Sequence, residues 1–370
     1  MTVCTLLAAS NPIATMTAAA PNPVTWPSAE RHLAFQAWAA AIGARHGLQW
    51  ATLAPASADA SFRRYLRVQG QAGSYIVMDA PPPLENVRPF VHVAGLIRAA
   101  GLHAPAVLER DEVQGFLLLD DLGHELYLDA LSETARADAL MRDALQALLQ
   151  FQLRVPGDGL PAFDDALLRR ELALFPQWCV QAEFGVSWTE AQQRTWQQVC
   201  DRLVASALAQ PRVAVHRDWM PRNLMVCPGP FPANPGILDF QDAVQGPVTY
   251  DLACLLRDAF VSWDETQELD WAVRWWQQAR AAGVPLGDDF AADFGEFWRA
   301  LEWMGLQRHL KVMGIFCRLK HRDGKPRYAQ DLPRFFQYAT RVALRYGPLK
   351  PLLSLLEPLS GQRVASGFTF

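Results

Sequence analysis

The stretch that decides the fold reads His216-Arg217-Asp218-Trp219-Met220-Pro221-Arg222-Asn223, and Asp239-Phe240-Gln241 begins sixteen residues after it. Short apolar runs, residues 213–215 and 237–238, precede the two polar clusters. An apolar run of this length is typical of a buried strand, so both clusters are expected where strands emerge from a core. The sequence therefore predicts that these polar side chains lie together at strand ends.

The spacing from Asp218 to Asn223 is that of a phosphotransferase catalytic loop, H-R-D followed by four residues and N. Phosphoryl transfer from ATP needs protein groups that align the acceptor hydroxyl and hold Mg²⁺, because the transfer itself needs little covalent help. Asp218 is predicted to accept the proton of that hydroxyl. Asn223 and Asp239 are predicted to bind Mg²⁺, a hard cation that prefers oxygen ligands. His216 is expected to brace the loop backbone rather than act as a base.

A structural reading of the same residues competes with this one. An Asp followed five residues later by an Asn commonly caps a helix or a turn. The joint pattern, with His216 in fixed register and a strand-terminal Asp239-Phe240 downstream, favours the catalytic reading.

Length and composition describe a globular enzyme that acts on a small molecule. The 370 residues suffice for two lobes, and 51% are hydrophobic against 19% charged. A net charge of −4 and the lack of a long Lys and Arg run argue against a nucleic-acid partner. No apolar segment approaches the roughly 20 residues that span a bilayer. The six cysteines form no C-x-x-C pair, and residues 1–28 lack the basic start of a secretory signal, so we predict a cytoplasmic protein without a membrane partner.

The order of predicted elements divides the chain into an extension and two lobes. Residues 1–28, rich in Ala, Thr and Pro, are expected to be disordered. Residues 29–121 combine a helix with strand signals and form the predicted N-lobe, which binds the nucleotide. Residues 122–370 are mainly helical in pattern and form the predicted C-lobe for catalysis and acceptor binding. The predicted class is α+β, with a small β-rich N-lobe and a larger, mainly helical C-lobe; the oligomeric state stays open.

Residues 59–350 resemble the aminoglycoside phosphotransferase and choline kinase branch of the protein-kinase-like fold, and within it the bacterial anomeric kinases of N-acetylmuramate and N-acetylglucosamine. Besides the catalytic stretch, four segments carry the resemblance: Asp59 to Tyr65, Leu118 to Gly123, Leu238 to Asp251 and Arg322 to Tyr328. The catalytic stretch identifies only the superfamily, whereas the last two segments are more specific. The resemblance implies a two-lobed protein-kinase-like fold and ATP and Mg²⁺ as cofactors. It also implies phosphorylation of the anomeric hydroxyl of an amino sugar to the 1-phosphate, in peptidoglycan recycling.

Two places in the predicted N-lobe are expected to contact the nucleotide: the turn at residues 59–64 and the hinge after the apolar run 115–119. The residues predicted there are Ser61, Phe62, Arg63, Arg64, Asp120 and Leu122. Kinases usually place a lysine on the third strand to hold the phosphates, but residues 75–79 contain none and no lysine precedes Lys311. Arginine is therefore expected to meet the phosphate charge. Arg64 is preferred to Arg63, because it shares a strand face with Phe62 and Leu66.

Four residues are predicted to bind the acceptor: Trp219, Asp242, Arg322 and Lys325. Trp219 directly follows the predicted base and offers an aromatic face for a sugar ring, whereas the other tryptophans at helical spacing are interpreted as core. N-acetylmuramate carries a lactyl carboxylate that N-acetylglucosamine lacks, so a nearby cation is expected, and Arg327 is a third candidate for it. The alternative for these basic residues is a solvated turn around Asp323-Gly324.

Two other functions remain open from the sequence. A kinase for a cationic alcohol, such as an aminoglycoside or choline, would need an acidic acceptor pocket. Four aspartates are candidates to line it: Asp242, Asp251, Asp258 and Asp264. A non-catalytic nucleotide-binding scaffold is the other alternative. The missing lysine favours the scaffold, but the joint presence of the predicted base and metal ligands counts against it.

Overall fold

The computed structural model describes residues 24–57 and 62–361. Two compact units make up the chain: one contains the residues up to Asn86 together with Leu108–Asp121, and the other contains Val87–Val107 and the residues from Leu122 onward. The predicted α+β class is confirmed, because the first unit is built on a sheet and the second is mainly helical. The predicted lobe boundaries at 29–121 and 122–370 stay a prediction, and residues 87–107 belong to the second unit.

The first unit is a five-stranded sheet with one helix. Its elements are α1 (Ala29–His46), β1 (Gln49–Ser57), β2 (Arg64–Gly70), β3 (Gly73–Asp79), β4 (Val107–Asp111) and β5 (Phe116–Asp120). The strand order is β1-β2-β3-β5-β4, and the pairs from β1 to β5 are antiparallel. Leu66, Val77 and Leu118 stand side by side in the register of β2, β3 and β5. They form a core with Phe35 and Trp38 of α1, so α1 covers this face of the sheet.

Residues 24–28 differ from the expected disordered extension, while residues 1–23 lie outside the described part of the chain. Trp26 stacks on Phe35 with ring centroids 4.6 Å apart and packs against the core of the first unit. Ser28 caps α1, because its Oγ accepts the N–H of Arg31 at 3.1 Å. This short segment is held because it adds an aromatic ring to a small core.

Among the described residues, the second unit consists of eleven α-helices, four short strands, a π-helical segment and several 3₁₀ turns. Its helices are α2 (Arg88–Ala99), α3 (Tyr127–Ala130), α4 (Thr134–Arg154), α5 (Asp165–Leu172), α6 (Glu190–Leu208), α7 (Tyr250–Leu256), α8 (Glu265–Ala282), α9 (Gly287–Ala292), α10 (Phe294–His321), α11 (Leu332–Arg345) and α12 (Leu353–Ser360). Its strands are β6 (Arg212–Val215), β7 (Leu224–Met225), β8 (Gly236–Ile237) and β9 (Val244–Pro247). The π-helical segment is Phe175–Glu183, and the 3₁₀ turns are Pro221–Asn223, Pro326–Asp331 and Gly347–Leu352.

Helix α10 is the central helix of the second unit, because it packs against α6, α7, α11 and the π-helical segment. Gly314 marks its closest approach to a neighbour: a Cβ there would lie 2.4 Å from the carbonyl carbon of Leu174. Gly305, on the same helix, has room for a Cβ, with its nearest neighbour at 3.7 Å. Within the described residues, no helix is long and apolar enough to span a bilayer.

These two glycines give a matched test of the packing around α10. Gly305→Ala should stabilise the protein by up to about 1 kcal/mol, because alanine is the better helix former and fits. Gly314→Ala should destabilise it by roughly 1–3 kcal/mol, because the methyl overlaps the backbone before the π-helical segment. Urea unfolding measures both, and equal stability of the two variants would contradict this packing.

Candidate active site

Two short antiparallel strand pairs hold the polar clusters singled out in the sequence. β6 pairs with β9, with Val215 opposite Val244, and the H-R-D stretch follows β6 directly. β7 pairs with β8, and Asp239 follows β8 after one residue. The prediction that both clusters sit at strand ends is confirmed.

Hydrogen bonds join Asp218, Asn223 and Asp239 into one site. The Asn223 Nδ2 donates to the backbone oxygen of Asp218 at 2.9 Å and lies 3.5 Å from Oδ2 of Asp239. The N–H of Leu238 donates to the carbonyl of Asn223 at 2.9 Å, which ties the two loops together beside the site. One amide side chain thus spans the predicted base loop and the predicted metal carboxylate.

Asp251 fixes the backbone of the catalytic loop. Its two carboxylate oxygens accept the N–H of His216 at 2.6 Å and the N–H of Arg217 at 2.9 Å. Arg217 has a φ of 78°, in the left-handed region that costs a residue with a side chain of order 1–3 kcal/mol. The buried carboxylate offsets this strain, and the turn directs the next residue, Asp218, away from the strand.

His216 braces the loop, as predicted. Burial lowers its pKa to about 4, so the ring is neutral at neutral pH. Its Nε2 lies 3.0 Å from the carbonyl oxygen of Leu238, and its Nδ1 lies 3.3 Å from the N–H of Asp218. Because a carbonyl only accepts hydrogen bonds, Nε2 carries the proton and Nδ1 accepts. The ring connects the base loop to the segment that leads to Asp239.

A buried charge cluster lies on the α5 and α10 side of the loop. Glu171, 4% exposed, binds Nη2 of Arg217 at 2.6 Å and Nζ of Lys311 at 3.0 Å. Gln307 donates to its second oxygen at 3.2 Å, and Lys311 also donates to the hydroxyl of Tyr250 at 3.0 Å. Burial raises the pKa of Glu171, but the two cations outweigh it and hold that pKa below the ordinary value. No local pattern in the sequence marks this cluster, because a lone Glu and a lone Lys on helices carry no spacing signal.

This cluster acts on the predicted base. Burial by itself raises the pKa of the Asp218 carboxyl. Three nearby cations outweigh burial and hold that pKa below its ordinary value: Lys311, Arg308 and Arg217. Arg308 is 1% exposed, donates to the sulfur of Met220 at 3.6 Å, and has no hydrogen-bond partner for Nε and Nη1 among the described residues. The site therefore keeps a partly buried carboxylate ionised.

The donor set fits a magnesium ion shared with phosphates. The hydrogen bonds of the Asn223 side chain run through its nitrogen, which leaves Oδ1 for a cation. Asp239 is exposed, with a φ of 61°, and Gln241 donates to its Oδ1 at 2.8 Å. No group of three or more His, Cys, Asp or Glu side chains suited to a metal occurs in the described ranges. One carboxylate and one amide would hold the ion, and nucleotide phosphates and water would supply its other oxygen ligands.

The structure differs from the expectation for Arg64. Arg64 stands opposite Asp79 in the register of β2 and β3. Its side chain shares with Leu66 the sheet face that α1 covers. Its guanidinium pairs with the buried Asp79, donates to the carbonyl of Thr25 at 2.6 Å, and lies over the ring of Trp26. These contacts compete with the predicted phosphate contact, because they hold the guanidinium on the α1 side.

The other residues predicted to contact the nucleotide are placed as follows. Ser61 lies outside the described residues, and the ring of Phe62 is 65% exposed. Nε of Arg63 pairs with Glu85 at 2.9 Å. Asp120 ends β5 opposite Tyr75, and the carbonyl of Leu122 accepts the Cys227 thiol at 3.5 Å. Arg67, on the face opposite α1, pairs with Asp121 at 2.5 Å.

The residues predicted to bind the acceptor fall into two groups. Trp219 is fully buried and packs between Phe151 and His216, with both ring centroid distances 5.5 Å, so it offers no exposed face. Asp242 is exposed beyond Asp239. Arg322 is exposed and bonded to both oxygens of Asp323, and Lys325 follows in the same turn.

Three of the four aspartates considered for an acidic pocket have structural roles. Asp251 is committed to the backbone of the catalytic loop. The buried Asp258 accepts the N–H groups of Phe260 and Val261 at 2.7 and 3.0 Å. Asp264 caps α8 through the N–H of Gln267 at 3.0 Å. These three carboxylates are therefore engaged by backbone N–H groups, and Asp242 is the fourth candidate, exposed at the surface.

The charge cluster gives a test through pH. For the phosphoryl transfer predicted from the loop, Lys311→Met removes a cation beside Asp218, so the pKa of Asp218 rises and the acid limb of kcat/KM moves to higher pH. Lys311→Arg, which keeps the charge, should move it less. Lys320→Met, on the same helix but paired with Glu183, is the control and should leave the limb in place. An unchanged acid limb in Lys311→Met would exclude this electrostatic coupling.

Comparison with known proteins gives the family. The phosphotransferase enzyme family matches residues 52–305. The N-acetylmuramate/N-acetylglucosamine kinase of Pseudomonas putida is 54% identical over 309 residues, covering 83% of this chain and 88% of the relative. The protein of the same name from Pseudomonas aeruginosa is 53% identical over 309 residues, covering 84% and 89%.

Solved structures show the same fold. The choline kinase LicA from Streptococcus pneumoniae superposes with a TM-score of 0.59 at 11% identity, over 85% of this chain and all of that one. At this identity the likeness concerns the kinase-like fold alone, which confirms the fold predicted from the sequence. The chain belongs to the phosphotransferase enzyme family, as a small-molecule kinase that takes its phosphoryl group from a nucleotide.

Proposed function

We propose that this kinase transfers a phosphoryl group from ATP to the anomeric hydroxyl of N-acetylmuramate and of N-acetylglucosamine, giving the 1-phosphate. The observation that carries the chemistry is the Asn223 amide, which spans the backbone of Asp218 and the carboxylate of Asp239. The sugar assignment is supported by relatives of that name at 53–54% identity. Amino-sugar 1-phosphates of this kind belong to peptidoglycan recycling in the cytoplasm, where ATP is available.

Asp218 acts as the base in this proposal. The cations around it keep the carboxylate ionised, so it can accept the proton of the sugar hydroxyl as that oxygen attacks. The left-handed turn at Arg217 and the two N–H bonds to Asp251 fix where the base stands. A fixed base and a bound acceptor lower the barrier mainly by orientation.

Asn223 and Asp239 would hold Mg²⁺, which would supply positive charge to neutralise the phosphates. Gln241 orients the Asp239 carboxylate through its bond to Oδ1, leaving Oδ2 on the Asn223 side. For the nucleotide, we retain Phe62, Arg63, Asp120 and Leu122 as proposed contacts.

The cationic-alcohol alternative has no specific support in the second unit. Three of its four candidate carboxylates bind backbone N–H groups, and the surface after α10 is basic rather than acidic. The likeness to choline kinase concerns the fold. We therefore do not propose a choline or aminoglycoside substrate.

The product identifies the reaction. With ATP and Mg²⁺, phosphorus NMR should place the phosphate on the anomeric carbon of both sugars, through coupling to the anomeric proton. Choline and an aminoglycoside in the same assay should remain unphosphorylated. Phosphate at the 6-position, or turnover with choline alone, would overturn the proposal.

Three substitutions test the roles in the loop. Asp218→Asn should lower kcat by roughly 10²- to 10⁴-fold with ATP binding nearly unchanged, because only proton acceptance is lost. Asp239→Ala should abolish activity, because a metal-bridging carboxylate is lost. Asn223→Ala should be milder and partly restored by raised Mg²⁺. A metal dependence in Asn223→Ala identical to that of the wild type would remove Asn223 from the ligand set.

A further inference from the structure

Positive charge accumulates in the segment 318–328, where α10 ends and the 3₁₀ turn Pro326–Asp331 begins. Three basic side chains in it already have acidic partners: Lys320 and His321 with Glu183, and Arg322 with Asp323. Lys325 and Arg327 have no carboxylate within ion-pair distance in residues 24–57 and 62–361. The segment therefore presents an excess of positive charge to a ligand.

Tyr328 connects this segment to the catalytic loop. Its hydroxyl receives a hydrogen bond from Nη2 of Arg327 at 3.4 Å. Its ring is 6% exposed and packs on Phe316, with ring centroids 5.3 Å apart. Phe316 in turn packs on Phe260 at 6.0 Å, and Arg222, four residues after Asp218, lies over the Phe260 ring. One aromatic cluster thus connects a guanidinium of the base loop with a guanidinium of the 3₁₀ turn.

The electrostatics agree with this arrangement. Burial raises the pKa of the Tyr328 hydroxyl, but the hydrogen bonds and charges of Arg327 and Arg222 outweigh burial and lower it. Arg327 lies over the Tyr328 ring at 5.1 Å, and Arg222 lies over the ring of Phe260 at the same distance. Stacking fixes the planes of both guanidinium groups, and a guanidinium has five N–H donors, of which Arg327 gives one to the phenol.

We propose that Arg327, held by the hydroxyl of Tyr328 in the aromatic cluster that also carries Arg222, forms a subsite for the lactyl carboxylate of N-acetylmuramate and sets the preference between the two sugars. The inference rests on the proposed function and specifies how its acceptor site separates a charged sugar from a neutral one. A planar guanidinium binds a carboxylate through two parallel N–H···O hydrogen bonds. N-acetylglucosamine has no carboxylate to accept these hydrogen bonds. Arg322 is the weaker candidate, because Asp323 already occupies its fork.

The test compares acceptor pairs that differ only in this charge. Arg327→Gln should raise KM for N-acetylmuramate roughly 10- to 100-fold and leave KM for N-acetylglucosamine and for ATP unchanged. Arg327→Lys should recover part of the loss, because the charge returns without the fork. With the neutral methyl ester of N-acetylmuramate, wild type and Arg327→Gln should have equal KM. The ester has no carboxylate for Arg327 to bind, so loss of the guanidinium should change nothing.

Two further variants separate a specific subsite from a general field. Tyr328→Phe removes only the hydroxyl and should raise KM for N-acetylmuramate by a smaller factor, again without affecting N-acetylglucosamine. Arg274→Gln, a surface arginine of α8 paired with Asp270, is the charge-matched control and should change neither KM.

Several results would overturn the subsite. They are equal rises in KM for both sugars, an effect of Arg322→Gln as large as that of Arg327→Gln, or a rise in KM for ATP, which would assign the charge to the nucleotide. A wild type that phosphorylates neither sugar would overturn the proposed function and the subsite with it. Normal turnover of N-acetylglucosamine with an unaltered preference in Arg327→Gln would overturn the subsite alone.

Discussion

The geometry of the active loop depends on one buried carboxylate. Asp251 accepts two consecutive backbone N–H groups, those of His216 and Arg217, and so stabilises a left-handed Arg217 that would otherwise relax. Without that turn the chain would continue along the direction of β6. The backbone oxygen of Asp218 would then not accept the hydrogen bond from the side-chain amide of Asn223. A strained backbone held by buried hydrogen bonds is a common way to preorganise a catalytic group.

The second constraint is electrostatic. Glu171 is buried with Arg217 and Lys311 around it, and a buried acid is tolerated only when it is paired and hydrogen-bonded. The same two cations act on Asp218, so one cluster both anchors the side chain of Arg217 and keeps the base ionised. Structure and reactivity are coupled here, because the charges that satisfy Glu171 also stabilise the anionic form of Asp218.

Arginine has contrasting roles in the two units. In the first unit, Arg31 and Arg64 converge on the buried Asp79, and Arg31 lies 3.8 Å over the ring of Phe116. These guanidinium groups stabilise the contact between α1 and the sheet. In the second unit, Arg327 donates to the hydroxyl of Tyr328 and has no acidic partner among the described residues. The number of arginines in a segment therefore does not indicate whether it binds an anionic ligand. What matters is whether the guanidinium is already paired with a carboxylate of the protein.

The sequence by itself determined the α+β class, the kinase-like fold, and the placement of Asp218, Asn223 and Asp239 at strand ends. The class and the placement of these residues follow from short-range spacing, because apolar runs set the strands and a fixed interval in one loop sets the polar groups. The kinase-like fold is what the resemblance of the motifs to a known family implied. Only the tertiary structure decided the roles of residues whose partners are distant in sequence. Arg64 faces α1 because a strand alternates faces and the helix packs on one of them. Asp251 and Glu171 bind Arg217 from 34 and 46 positions away in the chain, and Lys311 binds Glu171 from α10. Trp219, although adjacent to the base, is buried in the core. Burial and charge pairing across such distances depend on how helices and strands pack, which no local pattern encodes.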